Sequence, residues 1–344
     1  MAFENLSDRE RDILQNLIDH YIQTADPVGS RVIANKYSMG LSPATIRNTM
    51  QDLEEMGLIS QPHTSAGRVP TDAGYRVFVD MLLKPAPLSA AEKTIIQQMI
   101  SSPANRGIDT ILGQASKVLG EITNQLGITV SPKFEKGVLT GIDLIPVADG
   151  KILLVVAVKS GLARTILLEV ESKIEISELR MMESVLNERL AGLTLGQIKN
   201  TLTDRLSDTA CAPKLIKMFI DSDAEIWSGE QKDKLHITGT DNLIIQPEFA
   251  DRERLTDIIK LLEEKKALKS FMESKATGEG IIITIGNENT ISEIRDCSLV
   301  TSSYKIGKIS GTIGVIGPTR MPYSKLVSIV QYTARSLTDA LSDK

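Results

Sequence analysis

Cysteine is close to absent from this chain of 344 residues: Cys211 and Cys297 stand far apart and form no CxxC pair. That excludes a disulfide scaffold and a thiolate metal site, and it suits a reducing compartment. Aromatic residues make up 4% of the chain, with a single tryptophan, Trp227. Histidine is scarcer still: His20, His63 and His236 lie apart, with no carboxylate or thiol at ligand spacing, so no metal or cofactor site is expected. Long hydrophobic runs are missing too. The longest, Ile152 to Val158, has the length of a strand and falls far short of a membrane span. With no basic start followed by an apolar stretch, a cytoplasmic protein without membrane attachment is expected. Basic residues do not predominate: 39 Lys and Arg face 44 Asp and Glu, a net charge of -5, opposite in sign to a sequence-blind nucleic-acid binder.

The distribution of charge says more than the sum. Val28 to Gln51 holds Arg31, Lys36 and Arg47 and no acid, and Met56 to Thr71 holds Arg68 and no acid. In the first of these stretches Ser42 is a good helix N-cap, and Pro43 fits the first helical position, where a missing N–H is harmless. Ile46, Met50 and Leu53 recur at helical spacing. This turns Ala44, Asn48 and Gln51 outward, with Thr45 and Arg47 on the flanks, and Gly57 ends the helix. Upstream, Ser7-Asp8-Arg9-Glu10 is a capping box, and Ile13, Leu14, Leu17, Ile18, Tyr21 and Ile22 form the apolar stripe of a scaffold helix. A short helix from Ser30 to about Tyr37 and the turn Ser38-Met39-Gly40-Leu41 complete a helix-turn-helix. Gln61 to Pro70 is then a loop rich in turn formers between two short extended pieces, as in a wing.

Beyond Tyr75, Phe78, Val79 and Leu82, which close the first domain, Lys84 to Ser89 predicts a hinge, with a boundary near residue 88. Helices are predicted over Ala90 to Ser101 and Ile108 to Gly127, followed by a three-strand meander over Gly137–Pro146, Lys151–Lys159 and Leu162–Val170. Helices resume at Ile176–Leu190, Leu195–Leu206, Lys214 onward and Arg252–Met272. Strands return at Gly280–Gly286, Ser298–Lys305 and Lys308–Gly317 before a last helix, Tyr323–Leu341. A sheet interrupted by about a hundred mostly helical residues predicts one domain inserted in another: domains 1–88, 89–171 with 276–344, and an insertion over 172–275. The overall class is α+β multidomain.

The segments Pro27-Val28-Gly29-Ser30-Arg31, Ser42-Pro43-Ala44-Thr45-Ile46-Arg47-Asn48, Leu53 to Leu58 and Gln61-Pro62-His63-Thr64-Ser65-Ala66-Gly67-Arg68-Val69-Pro70-Thr71 resemble the HrcA family of heat-inducible transcription repressors. The wing string is the most specific part of the likeness. It implies an N-terminal winged helix-turn-helix, a GAF-like antiparallel-sheet domain and a mostly helical inserted dimerisation domain. It also implies a homodimer on the inverted-repeat DNA operator of chaperone genes, with activity modulated by the GroEL chaperonin. Residues assigned to DNA contact are Arg31 in the short helix; Ser42, Ala44, Thr45, Arg47, Asn48 and Gln51 in the longer one; and His63, Thr64, Ser65, Gly67 and Arg68 in the wing. Arg68 and the Thr64 to Gly67 backbone are expected on phosphate, and Asn48 and Gln51 on base edges.

Other readings stand beside these. His63 suits either a phosphate or groove contact or a purely structural role. Gly307, Gly311, Gly314 and Gly317 lack the Lys-Ser/Thr of a phosphate cradle and fit close packing in strands. Ser310 and Asp143 have no partners that would single them out as catalytic, so no enzyme is expected. A regulator that senses a small metabolite through the GAF-like domain is the alternative function.

Overall fold

A computed structural model describes residues 6–100, 107–148, 150–159, 161, 163–170, 175–209, 213–222, 226–227, 235–274 and 280–342. Cys211, Asp149, Ser160 and the expected domain borders at 171–172 and 275–276 lie outside them.

The N-terminal unit runs α1 (Asp8–Thr24), α2 (Ser30–Lys36), α3 (Pro43–Glu55), β1 (Ile59–Ser60), β2 (Val69–Pro70) and α4 (Asp72–Val77), the last continued by a π-helical turn, Phe78–Leu82. The capping box starts α1: Glu10 N–H donates to Ser7 Oγ (3.4 Å) and Ser7 N–H to Glu10 Oε2 (2.7 Å). Ile13, Leu14, Leu17 and Ile18 are fully buried, and Ala25, at φ 60°, closes the helix with its N–H on the Tyr21 carbonyl. Ser38 (φ 45°) and Gly40 (φ 65°) supply the left-handed backbone of the turn into α3. Ile46, Met50 and Leu53 face inward against α1.

The body holds α5 (Ala90–Ile100), α6 (Ile108–Thr123), β3 (Leu126–Val130), β4 (Leu139–Ala148), β5 (Lys151–Val158), β6 (Ala163–Glu169), α7 (Ile176–Leu190), α8 (Leu195–Leu206), α9 (Pro213–Asp221) and β7 (Leu235–Thr238). Then come the one-turn helix α10 (Thr240–Ile244), α11 (Arg252–Glu263), α12 (Lys265–Ser274), β8 (Ile281–Ile285), β9 (Cys297–Ile306), β10 (Ile309–Pro318) and α13 (Tyr323–Ser342). Five strands form one antiparallel sheet in the order β7-β3-β10-β9-β8. One face carries α5, α6 and α13 on Val300, Tyr304, Ile313 and Val315, and the other carries α11 and α12 on Leu126, Ile128, Leu299 and Ile316. The glycines of β10 are packing residues, as expected: a Cβ on Gly311 would lie 2.4 Å from the Tyr304 ring, and one on Gly314 2.5 Å from the Val300 carbonyl.

The expected sheet membership is corrected here. Strands β4, β5 and β6 do not continue into the 281–318 strands but form a separate sheet, β4-β5-β6. Its inner face, including Ile142, Leu154, Val156 and Ile166, buries against Leu179, Met182, Leu186, Ile198, Leu202 and Phe219 of α7, α8 and α9. The separate block therefore begins with the meander, before residue 172, and residues 235–274 belong to the five-stranded body. Apolar alternation tells a strand which face is buried but not which strand is its neighbour. Leu126–Val130 and Leu235–Thr238, which complete the larger sheet, were not expected as strands, and the predicted 252–272 helix is two helices that meet at Glu264. Asn187 on α7 covers the β4 edge, accepting from Ile142 N–H and donating to its carbonyl, both at 2.8 Å.

Nor is the 84–89 segment a free hinge. Ala86 N–H bonds the Ser324 carbonyl (2.9 Å), Ser89 caps α5, and one apolar cluster runs unbroken from Ile13 to Leu341. Tyr75 and Tyr323, both buried, meet across this seam with ring centroids 5.9 Å apart.

Candidate nucleic-acid interface

Helix α3 is positioned by its buried side and by its cap. Ser42 Oγ accepts from Thr45 N–H (3.1 Å) and lies 2.9 Å from Thr45 Oγ1, so both hydroxyls are used in starting the helix. On the opposite side Ala44, Arg47, Asn48 and Gln51 are exposed. Gln51 Nε2 donates to Glu55 Oε1 (3.2 Å), one turn on. Among the described residues Arg47 and Arg31 have no ion-pair partner, and both are exposed. Lys36 turns away from this face, donating to His20 Nδ1 (3.2 Å) and toward Gln23 (3.5 Å). That ammonium, together with burial as the larger cause, lowers the His20 pKa.

The wing is a two-residue ladder, Ile59 opposite Pro70 and Ser60 opposite Val69, closed by the loop 61–68. Gln61, which the sequence reading passed over, organises that loop: its Nε2 donates to the carbonyls of Thr64 and Ala66, each at 3.0 Å. His63, Thr64 and Ser65 are left exposed at the tip. At the root, Val28 and Arg68 exchange backbone hydrogen bonds of 2.8 and 2.9 Å. Gly67 is required by this approach, because a Cβ there would lie 2.4 Å from the Val28 carbonyl carbon. Thr71 ties the wing to α4, donating to the Gly57 carbonyl (2.7 Å) and capping Gly74 (3.1 Å).

Two of the residues expected on phosphate are engaged within the fold. Gly67 packs against the Val28 backbone rather than standing free. The Arg68 guanidinium meets Glu54 of α3 at 2.8 Å instead of facing outward. A single charge in a sequence can be counted, but its partner fourteen residues away appears only once the wing folds back. The structure thus leaves Ala44, Arg47, Asn48 and Gln51 exposed along α3, Arg31 exposed on the preceding helix and His63–Ser65 exposed in the wing loop, while Ser42, Thr45, Gly67 and Arg68 also hold the local frame.

Elsewhere, His236 pairs with Asp109 (3.1 Å), and burial pushes the Cys297 thiol far above its ordinary pKa. Among the described residues no three His, Cys, Asp or Glu side chains are placed to hold a metal ion. No described helix is long and apolar enough to cross a membrane.

Two family models match the chain. Residues 5–81 match the winged helix-turn-helix transcription repressor model, HrcA DNA-binding, and residues 109–327 match the HrcA protein C-terminal domain. Curated relatives named heat-inducible transcription repressor HrcA include one from Chlorobium chlorochromatii, 38% identical, with 99% of each chain covered. Another, from Ruminiclostridium cellulolyticum, is 38% identical over 98% of this chain and 97% of its own. The crystal structure of a hypothetical protein shares the fold, with a TM-score of 0.64, 24% identity, and 98% and 99% of the two chains covered.

Proposed function

From the premise that this chain belongs to the HrcA family of heat-inducible transcription repressors, we propose that it acts in the cytoplasm as a homodimer on an inverted-repeat operator, under control of the GroEL chaperonin. The family is one of DNA-binding repressors, which is not an enzyme class. The observation that carries the reading is the α3 face: Arg47 and Asn48 are exposed and, among the described residues, uncommitted, on a helix whose opposite side is buried, in a unit whose wing tip is exposed too. A helix held that way can lay its outward side chains against base edges, while the tip reaches the backbone or minor groove. Asn48 and Gln51 read bases in this account, Arg47 takes a base or a phosphate, and Arg31 and the tip residues His63, Thr64 and Ser65 position the reader.

One such surface is small, and the chain has little positive charge to spend on it. Two readers related by a two-fold axis match an inverted repeat and share one association cost. We place the dimer seam on the separate α/β block, whose outer sheet face presents Ile145 and Leu167, nearly half exposed, on either side of Leu153 in register. GroEL enters through the family resemblance, and the GAF-like reading of the five-stranded body does too. The test is binding of the purified protein to an inverted-repeat duplex taken from upstream of chaperone genes, with and without GroEL. Salt-dependent binding that prefers the repeat over a scrambled duplex and tightens with GroEL is the expected result. Equal binding to both duplexes overturns the operator reading, and indifference to GroEL overturns the chaperonin reading.

A further inference from the structure

Glu54 sits in the last turn of α3, and Arg68 at the end of the wing loop, just before β2. Glu54 Oε2 and Arg68 Nη2 are 2.8 Å apart, with side chains only 31% and 20% exposed. The contact is one-sided. Arg68 Nε is buried with no hydrogen-bond partner, so the guanidinium gives up part of its donor capacity to hold this pose. Its backbone is pinned to Val28 on both sides of the peptide, so the residue cannot drift away from the wing root. Among the described residues Arg31 and Arg47 are exposed with no ion-pair partner, whereas Arg68, the one cation of the acid-free wing stretch, is neutralised by a carboxylate from the helix next to it.

We propose that Glu54 sets the sequence-independent part of duplex affinity by withholding Arg68 from phosphate. The proposal rests on the reading of α3 and the wing as the duplex-binding surface. A phosphate contact adds to the affinity for every sequence and makes that affinity salt-dependent. Cancelling one per reader keeps the ionic grip weak and the complex easy to release, while leaving the side chains on α3 to discriminate between sequences. The ion pair also orients the wing on α3, which gives the partly buried arginine a use in the free protein.

The test compares salt titrations of the full-length protein, its Glu54→Gln and Arg68→Ala variants, and the double variant, on operator and scrambled duplexes. Glu54→Gln keeps the size and a hydrogen-bond acceptor but removes the charge, and Glu54→Ala repeats the measurement should glutamine disturb folding, with thermal melts as the check. Released Arg68 steepens the salt slope by about 0.9 per reader, the increment for one phosphate. Both duplexes gain by the same factor, so their ratio stays fixed. Arg68→Ala alone leaves the slope unchanged, and the double variant returns to the parent slope. Steepening that survives in the double variant would mean that loss of a nearby carboxylate, not release of Arg68, caused it, and the proposal fails. It fails equally if Arg68→Ala flattens the parent slope, or if Glu54→Gln changes nothing. A parent protein with no salt-dependent duplex binding removes the DNA reading itself, a result distinct from these.

Discussion

Arg76 and Glu288, 212 residues apart in the chain, join the reader to the body through two parallel hydrogen bonds, Nε to Oε1 at 2.8 Å and Nη2 to Oε2 at 2.6 Å. The same guanidinium donates to the Ile283 carbonyl (2.8 Å) and to Asp80 (2.9 Å). Beside it, Asp72 accepts from Asn287 N–H and Nδ2, each at 2.9 Å. A second arginine works at the far end of the seam: Arg320 of the body donates to the Ile22 carbonyl at the end of α1 (2.8 Å) and to Glu248. The reader is therefore clamped at two places, and its angle to the body is set by the fold. For a dimer on an inverted repeat, that angle decides half-site spacing.

Arg76→Ala removes one clamp. Glu288 is more than a third exposed, so the direct loss of stability is about 1 kcal/mol. The larger effect is on cooperativity. Calorimetry of the variant should show the reader melting before the body, where the parent melts as one. A single unsplit transition would show that the continuous apolar core couples the two units without the arginine.

Gly67→Ala places a methyl group against the Val28 backbone, where neither strand can yield easily. A stability loss of about 1 to 3 kcal/mol is expected, as for overpacking elsewhere. Because the wing root is displaced while α3 is untouched, duplex binding should weaken for operator and scrambled sequence alike. Parent-like melting and binding would place the wing root elsewhere.

Asn48→Ala should behave differently, because the side chain is exposed and supports nothing in the fold. Its loss is expected to cost about 1 to 3 kcal/mol of operator binding, with scrambled-duplex binding nearly unchanged. Gln51→Ala should act in the same direction with a smaller effect, since Gln51 must first leave Glu55 to reach a base. An unchanged operator-to-scrambled ratio in both variants would show that this face does not read sequence.

The reader was legible because its signals are local. Ser42 with Pro43, Ser7 with Glu10, and the Ile46, Met50, Leu53 spacing each fix a helix within a few residues. The larger sheet was not. Leu126–Val130 is buried on both faces, so no alternation marks it, and the left-handed Asn124 that ends α6 just before it is a weaker stop signal than glycine. β7 is a short strand whose partner is more than a hundred residues away. The pairing of Arg68 was hidden for the same reason: Glu54 meets it only through tertiary structure.

Glu92 offers a pH handle on how α5 is held to α13. The Lys325 ammonium, hydrogen-bonded to it at 2.7 Å, holds its carboxyl down from 4.5 to about 2, with Ser89 N–H and Oγ adding to the effect. A carboxylate with a depressed folded-state pKa contributes stability that is present above its ordinary range and lost as pH falls from about 5 toward 2. The urea midpoint of the parent should therefore exceed that of Glu92→Gln at pH 6, and the gap should narrow as the pH is lowered to 3, with the rest lost only toward pH 2. A gap that stays constant over this range would mean that the variant acts through packing instead of charge.

The proposed dimer seam is tested by Leu167→Glu. Ile145, Leu153 and Leu167 lie side by side across the outer face of the small sheet, with Leu167 nearly half exposed, so the fold should accept the change with little loss. In a two-fold interface the same patch meets its own copy, and the introduced carboxylate would be desolvated on both sides and face its twin. Association weakened by that much charge corresponds to a rise in Kd of at least about tenfold, the equivalent of 1.4 kcal/mol. Sedimentation at micromolar concentration should show monomers where the parent is dimeric. Half-site affinity should be kept, because the reader is untouched, while the advantage of the full operator over the half-site disappears. A variant that sediments as the parent dimer with full operator affinity would move the seam away from this sheet face.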